Sequence, residues 1–157
     1  MRCGRNSDWE CEMVDNKLGY GNGMKWLLAL CAFVAGCSTT PVSYTEATPV
    51  PTERVLVKQI ARSSDSARVT VTRDAGLQGT PCNFRLFVDG HAVALLKNGE
   101  RFDVWLEPGD HVFGARADGH CIGGTAETSV VLTAKRWKRL RISSGQDGTL
   151  QMSATAF

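Results

Sequence analysis

The chain has 157 residues, with 18 Lys+Arg against 16 Asp+Glu, and so stands close to neutral at +2. That length leaves room for one modest domain. The charge balance excludes the basic, aromatic-laced footprint of a nucleic-acid binder, so no nucleic acid is expected as a partner.

Residues 1–23 carry Asp8, Glu10, Glu12 and Asp15 and no apolar periodicity. They read as an upstream segment that is either not translated or disordered, with translation expected to begin at Met24. Residues 24–36 change character: Met24-Lys25 leads an apolar run from Trp26 to Phe33, closed by Val34-Ala35-Gly36. A positive start, about ten apolar residues and a small-residue site make a secretory signal. The run is too short to span a bilayer, which takes about 20 apolar residues. A helical signal peptide is expected there.

Val34-Ala35-Gly36-Cys37 resembles the lipobox of bacterial lipoproteins. The resemblance implies that Cys37 is acylated on sulfur and becomes the first residue of the mature protein. Ser38 follows it, where Asp is typical of retention in the inner membrane. By the sorting rule of that family the protein is expected at the outer membrane, lipid-anchored on the periplasmic face. The leader carries four basic and four acidic residues away, so the mature chain keeps the same balance. Residues 37–53 are rich in Thr, Ser and Pro and read as a disordered, semi-extended tether. The folded domain is expected over 54–157.

Of six cysteines, Cys3 and Cys11 lie upstream, Cys31 in the signal and Cys37 at the lipid site. Cys82 and Cys121 remain, and two thiols in an exported domain point to a disulfide. The competing reading is a metal site with His120, but zinc sites normally show paired ligands such as Cys-x2-Cys, which are missing. No metal and no cofactor is expected.

Within the domain, alternation with period two dominates. Strands are expected at 68–73, 83–88, 91–97, 101–106, 110–117, 127–134, 136–143 and 149–156, and 55–60 reads equally as a strand or a short helical entry. Asp89-Gly90, Asn98-Gly99 and Pro108-Gly109 each predict a tight hairpin. Seven to eight short strands without an amphipathic helix predict an all-β fold, an antiparallel β-sandwich. The stretch from Phe87-Val88-Asp89-Gly90-His91 to Leu106-Glu107-Pro108-Gly109-Asp110-His111 is similar to PEGA-type β modules, over residues 84–117. That resemblance implies a small accessory envelope domain with no catalytic residues to carry over.

No enzyme is expected. Ser63, Ser64, Ser66, Ser143 and Ser144 lack a nucleophile-elbow setting, and a nucleophile needs a base within hydrogen-bond reach. His91 and His111 sit at turns, which leaves His120 in its glycine-rich loop as the one histidine open to a hydrolytic role. The candidate binding patch is Lys135-Arg136-Trp137-Lys138-Arg139-Leu140-Arg141, five basic residues in seven. It suits an envelope protein or an anionic envelope polymer, and reads alternatively as an edge strand guarded by charge. Phe87 and Trp105 fall opposite the apparent core and form either a second patch or a covered layer. The expected function is that of a membrane-anchored, non-catalytic accessory or interaction module. The alternative is a structural component binding cell wall or lipopolysaccharide.

Overall fold

The computed structural model describes residues 39–57, 62–76, 82–119, 121, 123–145 and 147–156. The expected leader, the lipidation site Cys37 and His120 lie outside the described residues. Among the described residues nine strands form two sheets: β1 (Thr48–Pro49), β2 (Ala67–Arg73), β3 (Phe84–Val88), β4 (His91–Leu96), β5 (Glu100–Leu106), β6 (Gly109–Ala117), β7 (Thr125–Leu132), β8 (Trp137–Ser144) and β9 (Leu150–Ala154). One sheet has the order β1-β5-β2-β8-β9 and the other β4-β3-β6-β7. The fold is the expected all-β sandwich. Its core interleaves Ala67, Val69, Val71, Val104, Leu140 and Ile142 from the first sheet with Phe84, Leu86, Val93, Leu96, Phe113 and Ala115 from the second.

Eight of the nine strands fall where alternation places them, because each presents an apolar face every second residue. The ninth, β1, has only two residues and no alternation to display. Two of the three expected hairpins take another form. Asp89-Gly90 does join paired neighbours, β3 and β4. The turns at Asn98-Gly99 and Pro108-Gly109 instead carry the chain between sheets, from β4 across to β5 and from β5 back to β6. Turn chemistry reverses the chain, but it does not choose the hydrogen-bonding partner. For β5 that partner is β2, with Val69 opposite Val104 and Val71 opposite Phe102. Because β6 and β7 are built in the second sheet before the chain returns, β8 enters beside β2 from the same end and pairs with it parallel. β1 is likewise parallel to β5.

A second departure concerns the expected tether. From Thr39 onward the segment is part of the domain. Thr40 and Ala75 exchange backbone hydrogen bonds of 2.7 and 3.0 Å, Thr48 and Val50 donate to Gly99 and Arg101, and Leu56 donates to Val93. Residues 39–57 thus cross the outer face of the first sheet, extend its edge beyond β5, and turn through a 3-10 turn (Thr52–Arg54) toward β4 in the second. Ala47 is fully enclosed along the way. Thr/Pro-rich composition gave no sign of this, since the segment is held by a few side chains and by edge pairing, not by an apolar stripe.

Cys82 and Cys121 form a disulfide with a sequence separation of 39. It ties the entry of β3 to the loop after β6, within the second sheet. Arg73, at the end of β2, points inward. It lies 1% exposed, stacks at 3.5 Å over the Phe84 ring and donates to the Leu96 carbonyl at 2.8 Å. Burial pushes its pKa down to about 10, against the opposing pull of Glu100, so the guanidinium stays charged at neutral pH.

Candidate functional site

The outer face of the first sheet follows from register alone. Arg68 of β2 lies between Trp105 of β5 and Trp137 of β8, Thr70 between Asp103 and Arg139, and Thr72 between Arg101 and Arg141. Three side-by-side rows result, rich in guanidinium and indole groups. The Arg68 guanidinium stacks at 4.7 Å from the Trp137 ring and 5.8 Å from Trp105, while Arg139 lies 3.9 Å over Trp137 and Arg62 lies 3.3 Å over Trp105. Such cation–aromatic contacts are worth about 0.5–1 kcal/mol each when exposed and more when dry.

Tyr44, from the crossing segment, sits in this array. Its ring meets Trp137 edge-on at 5.0 Å and lies 4.2 Å from the Arg101 guanidinium, and its hydroxyl accepts from Arg68 at 2.6 Å. Arg101 also donates to the backbone carbonyls of Tyr44 and Ala47, which clamps the segment to the sheet. Acidic partners are few. Asp103 takes Arg68 at 3.0 Å and a hydrogen bond from Thr70, and Asp74 takes Arg141 and Thr39. Burial raises the Asp74 pKa, and the Arg141 and Thr39 contacts offset only part of that.

The six nominated binding residues divide into two groups. Lys135, Arg136, Trp137 and Lys138 are exposed in succession along the turn into β8, with Trp137 at 39%. Lys135 reaches Asp65 at 3.4 Å with both side chains largely in solvent, a pair worth little. Trp137 is oriented by its indole N–H, which donates to Thr70 Oγ1 at 2.9 Å. Arg139 and Arg141 belong to the array itself: Arg139 donates to the Ala156 carbonyl and Arg141 pairs with Asp74. Nor is β8 an edge strand, since it lies between β2 and β9, so guarding an edge does not explain its charge.

Sequence reading missed Tyr44, Arg62, Arg68, Arg101 and Asp103 as members of this surface. The outward parity of Arg68, Arg101 and Asp103 was visible in the alternation, but their meeting Trp137 depends on the parallel β2–β8 pairing. Trp105 is covered by Arg62, whereas Phe87, on the outer face of the second sheet, has the exposed Arg116 guanidinium 5.5 Å away.

A separate polar cluster occupies the β3–β4 and β5–β6 turns. His111 Nδ1 contacts Asp89 Oδ2 at 2.7 Å, its Nε2 contacts the Glu107 carbonyl at 2.9 Å, and Asp89 Oδ1 accepts from the Val112 N–H at 2.9 Å. Asp89 holds a positive φ of 50°, so the cluster braces a turn. Among the described residues, no three His, Cys, Asp or Glu side chains converge as metal ligands, and no helix is long and apolar enough to cross a membrane. Comparison with protein families, with curated proteins and with solved structures returns no match.

Proposed function

We propose that this protein is a lipid-anchored component of a bacterial cell envelope, held at the outer membrane through acyl chains on Cys37, whose β-sandwich is a non-catalytic interaction module. The PEGA-like stretch over residues 84–117 fits an accessory domain of that kind. Recognition falls to the exposed ridge Lys135, Arg136, Trp137 and Lys138. One observation carries that assignment: Trp137 is left 39% exposed although hydrogen-bonded and stacked in place. An oriented, partly exposed indole beside exposed cations is the kind of residue that dominates binding energetics at interfaces.

The test is photo-crosslinking from position 136 in cells, followed by intact-mass measurement of the membrane-extracted protein. A discrete protein adduct lost in a Trp137→Ala variant is the expected result. No protein adduct, together with salt-sensitive retention on isolated cell wall or lipopolysaccharide, would instead favour the structural polymer-binding role. A polymer contact of that kind weakens with ionic strength because each cation adds about 1 kcal/mol at an anionic surface. An unchanged cellular phenotype in His120→Ala removes the remaining hydrolase alternative.

A further inference from the structure

The docked segment fixes where a membrane anchored at Cys37 must lie. Thr40 is paired with Ala75, and the Thr39 hydroxyl reaches Asp74 at 3.5 Å and the Ser144 carbonyl at 3.4 Å. Consecutive Cα atoms are 3.8 Å apart, so Cys37 lies within about 7 Å of Thr39 whatever its conformation. A free tether of residues 37–53 would let the domain drift tens of ångströms. The docked one leaves two residues between the anchor and the sheet.

We infer that the sandwich stands end-on against the phospholipid headgroups, with the end formed by the Asn98-Gly99 turn, the loop after β6 and the β8–β9 turn apposed to the bilayer. This rests on the reading of Cys37 as the lipid site. Asn98 Nδ2 donates to the Gly76 carbonyl at 2.6 Å, next to the Thr40–Ala75 pairing, so the turn carrying Lys97 sits beside the exit of the anchor.

Both ends carry charge of both signs. At the apposed end Asp74 pairs with Arg141, Asp118 with Arg85 at 2.6 Å and Glu100 with Arg54 at 2.6 Å, while the exposed Asp147 accepts from Thr149 in its own turn. The opposite end carries the exposed Asp65, Glu107 and Asp110 beside the exposed Lys135, Arg136 and Lys138, so the exit of the anchor, and not net charge, sets the orientation. β6 has nine residues, so the two ends are separated by about 30 Å. The ridge at 135–138 is thereby presented away from the bilayer, toward other envelope components.

Two native lysines report on the two ends, Lys97 beside the anchor exit and Lys135 at the far turn, both exposed. The acylated protein, with its lipidation verified by intact mass, is reconstituted in phosphatidylethanolamine/phosphatidylglycerol vesicles. It is then treated with a bulky, membrane-impermeant amine reagent and compared with the soluble Cys37→Ser chain. The expected result is a several-fold loss of Lys97 modification on vesicles with Lys135 unchanged. Inserting a long Gly/Ser spacer between Ser38 and Thr39 leaves the domain untouched and should restore Lys97 labelling. Equal Lys97:Lys135 ratios in the acylated and soluble proteins would overturn the orientation. Absence of acyl mass at Cys37 would instead remove the anchor reading beneath it.

Discussion

The two sheets of this sandwich solve the same problem by different means. The second sheet, β4-β3-β6-β7, is closed by a covalent link: the Cys82–Cys121 disulfide joins the approach to β3 with the loop leaving β6. Its outer face carries Phe87, Arg85, Arg116 and the exposed Val112 and Val131 without a covering segment among the described residues. The first sheet has no disulfide. Its outer face is an arginine–aromatic array over which residues 39–50 are laid, fastened by Arg101 and Tyr44. One sheet is therefore held through its loops and the other through its face. A covalent closure acts mainly on the unfolded chain, whereas a docked segment acts only in the folded state.

The largest expected effect separates these modes. Replacing both Cys82 and Cys121 by Ser should cost about 4 kcal/mol by the loop-closure argument for a loop of this size. The loss is read as a fall in denaturation midpoint together with a steeper slope, because the unlinked unfolded chain exposes more surface. Amide exchange should rise first around β3 and β6 and last in β2, which pairs on both sides in the sheet the disulfide does not touch. A uniform rise would mean that the two sheets open as one unit, and the contrast would not extend to local stability.

Next in size is the removal of the clamp. Arg101→Ala deletes a cation that donates to two backbone carbonyls and stacks on Tyr44. Hydrogen bonds to charged groups contribute about 1.5–3 kcal/mol, so a loss of about 2–3 kcal/mol is expected. Proteolysis between residues 39 and 50 should become fast. Arg116→Ala, on the uncovered face of the other sheet, is the matched control and should shift stability by less than about 0.5 kcal/mol. Equal effects would show that the docked segment contributes no more than an exposed side chain.

The contrast between the sheets also explains what the sequence disclosed. Strands such as 84–88, with Phe84, Leu86 and Val88 inward, announce themselves because one face is apolar and the other is not. β2 is harder to read, since Thr70 and Thr72 are buried although they face away from the core. The array and the docked segment cover them, and nothing within Arg68–Arg73 predicts that cover. Arg73 misleads in the opposite sense, as a charge at an inward position, tolerable because Phe84 and backbone carbonyls surround it. The disulfide was legible because elimination left two cysteines. The docked segment was not, because its hold depends on Tyr44 meeting Arg68, Arg101 and Trp137, which come from three separate strands. Of the candidate site, Lys135 to Lys138 could be read from local charge, while the residues that orient Trp137 could be read only from the topology.

A smaller effect is expected of Tyr44→Phe. This variant keeps the ring between its cations and its edge contact with Trp137 but loses the hydroxyl that accepts from Arg68 at 2.6 Å. A cost of about 1 kcal/mol is expected, since Arg68 keeps its 3.0 Å pair with Asp103. Tyr44→Ala should cost more, by the ring's packing. If Tyr44→Phe and Tyr44→Ala were equally harmful, the hydroxyl and not the stacked ring would be what holds the segment.

The smallest effect tests whether the far end contributes independently of either face. Burial draws the His111 pKa down, but the hydrogen bonds its ring donates to the Asp89 carboxylate and the Glu107 carbonyl, with the nearby acidic charge, leave it raised overall. Burial likewise pushes Asp89 up, and its bonds to Val112 and His111 bring it below the ordinary aspartate value. A raised histidine contributes stability that is complete below the unfolded histidine pKa, about 6.5, and is lost as pH rises through the folded value. A lowered aspartate contributes stability present above about 3.9 and lost as pH falls through its own folded value. The pair is therefore worth most between those limits, and about 0.5 kcal/mol is expected because Asp89 is partly in solvent. Thermal midpoints of His111→Gln should fall below the parent at pH 5–6 and converge on it by about pH 9. A difference that stays constant across that range would mean that His111 braces the turn by shape and hydrogen bonding alone, without its charge.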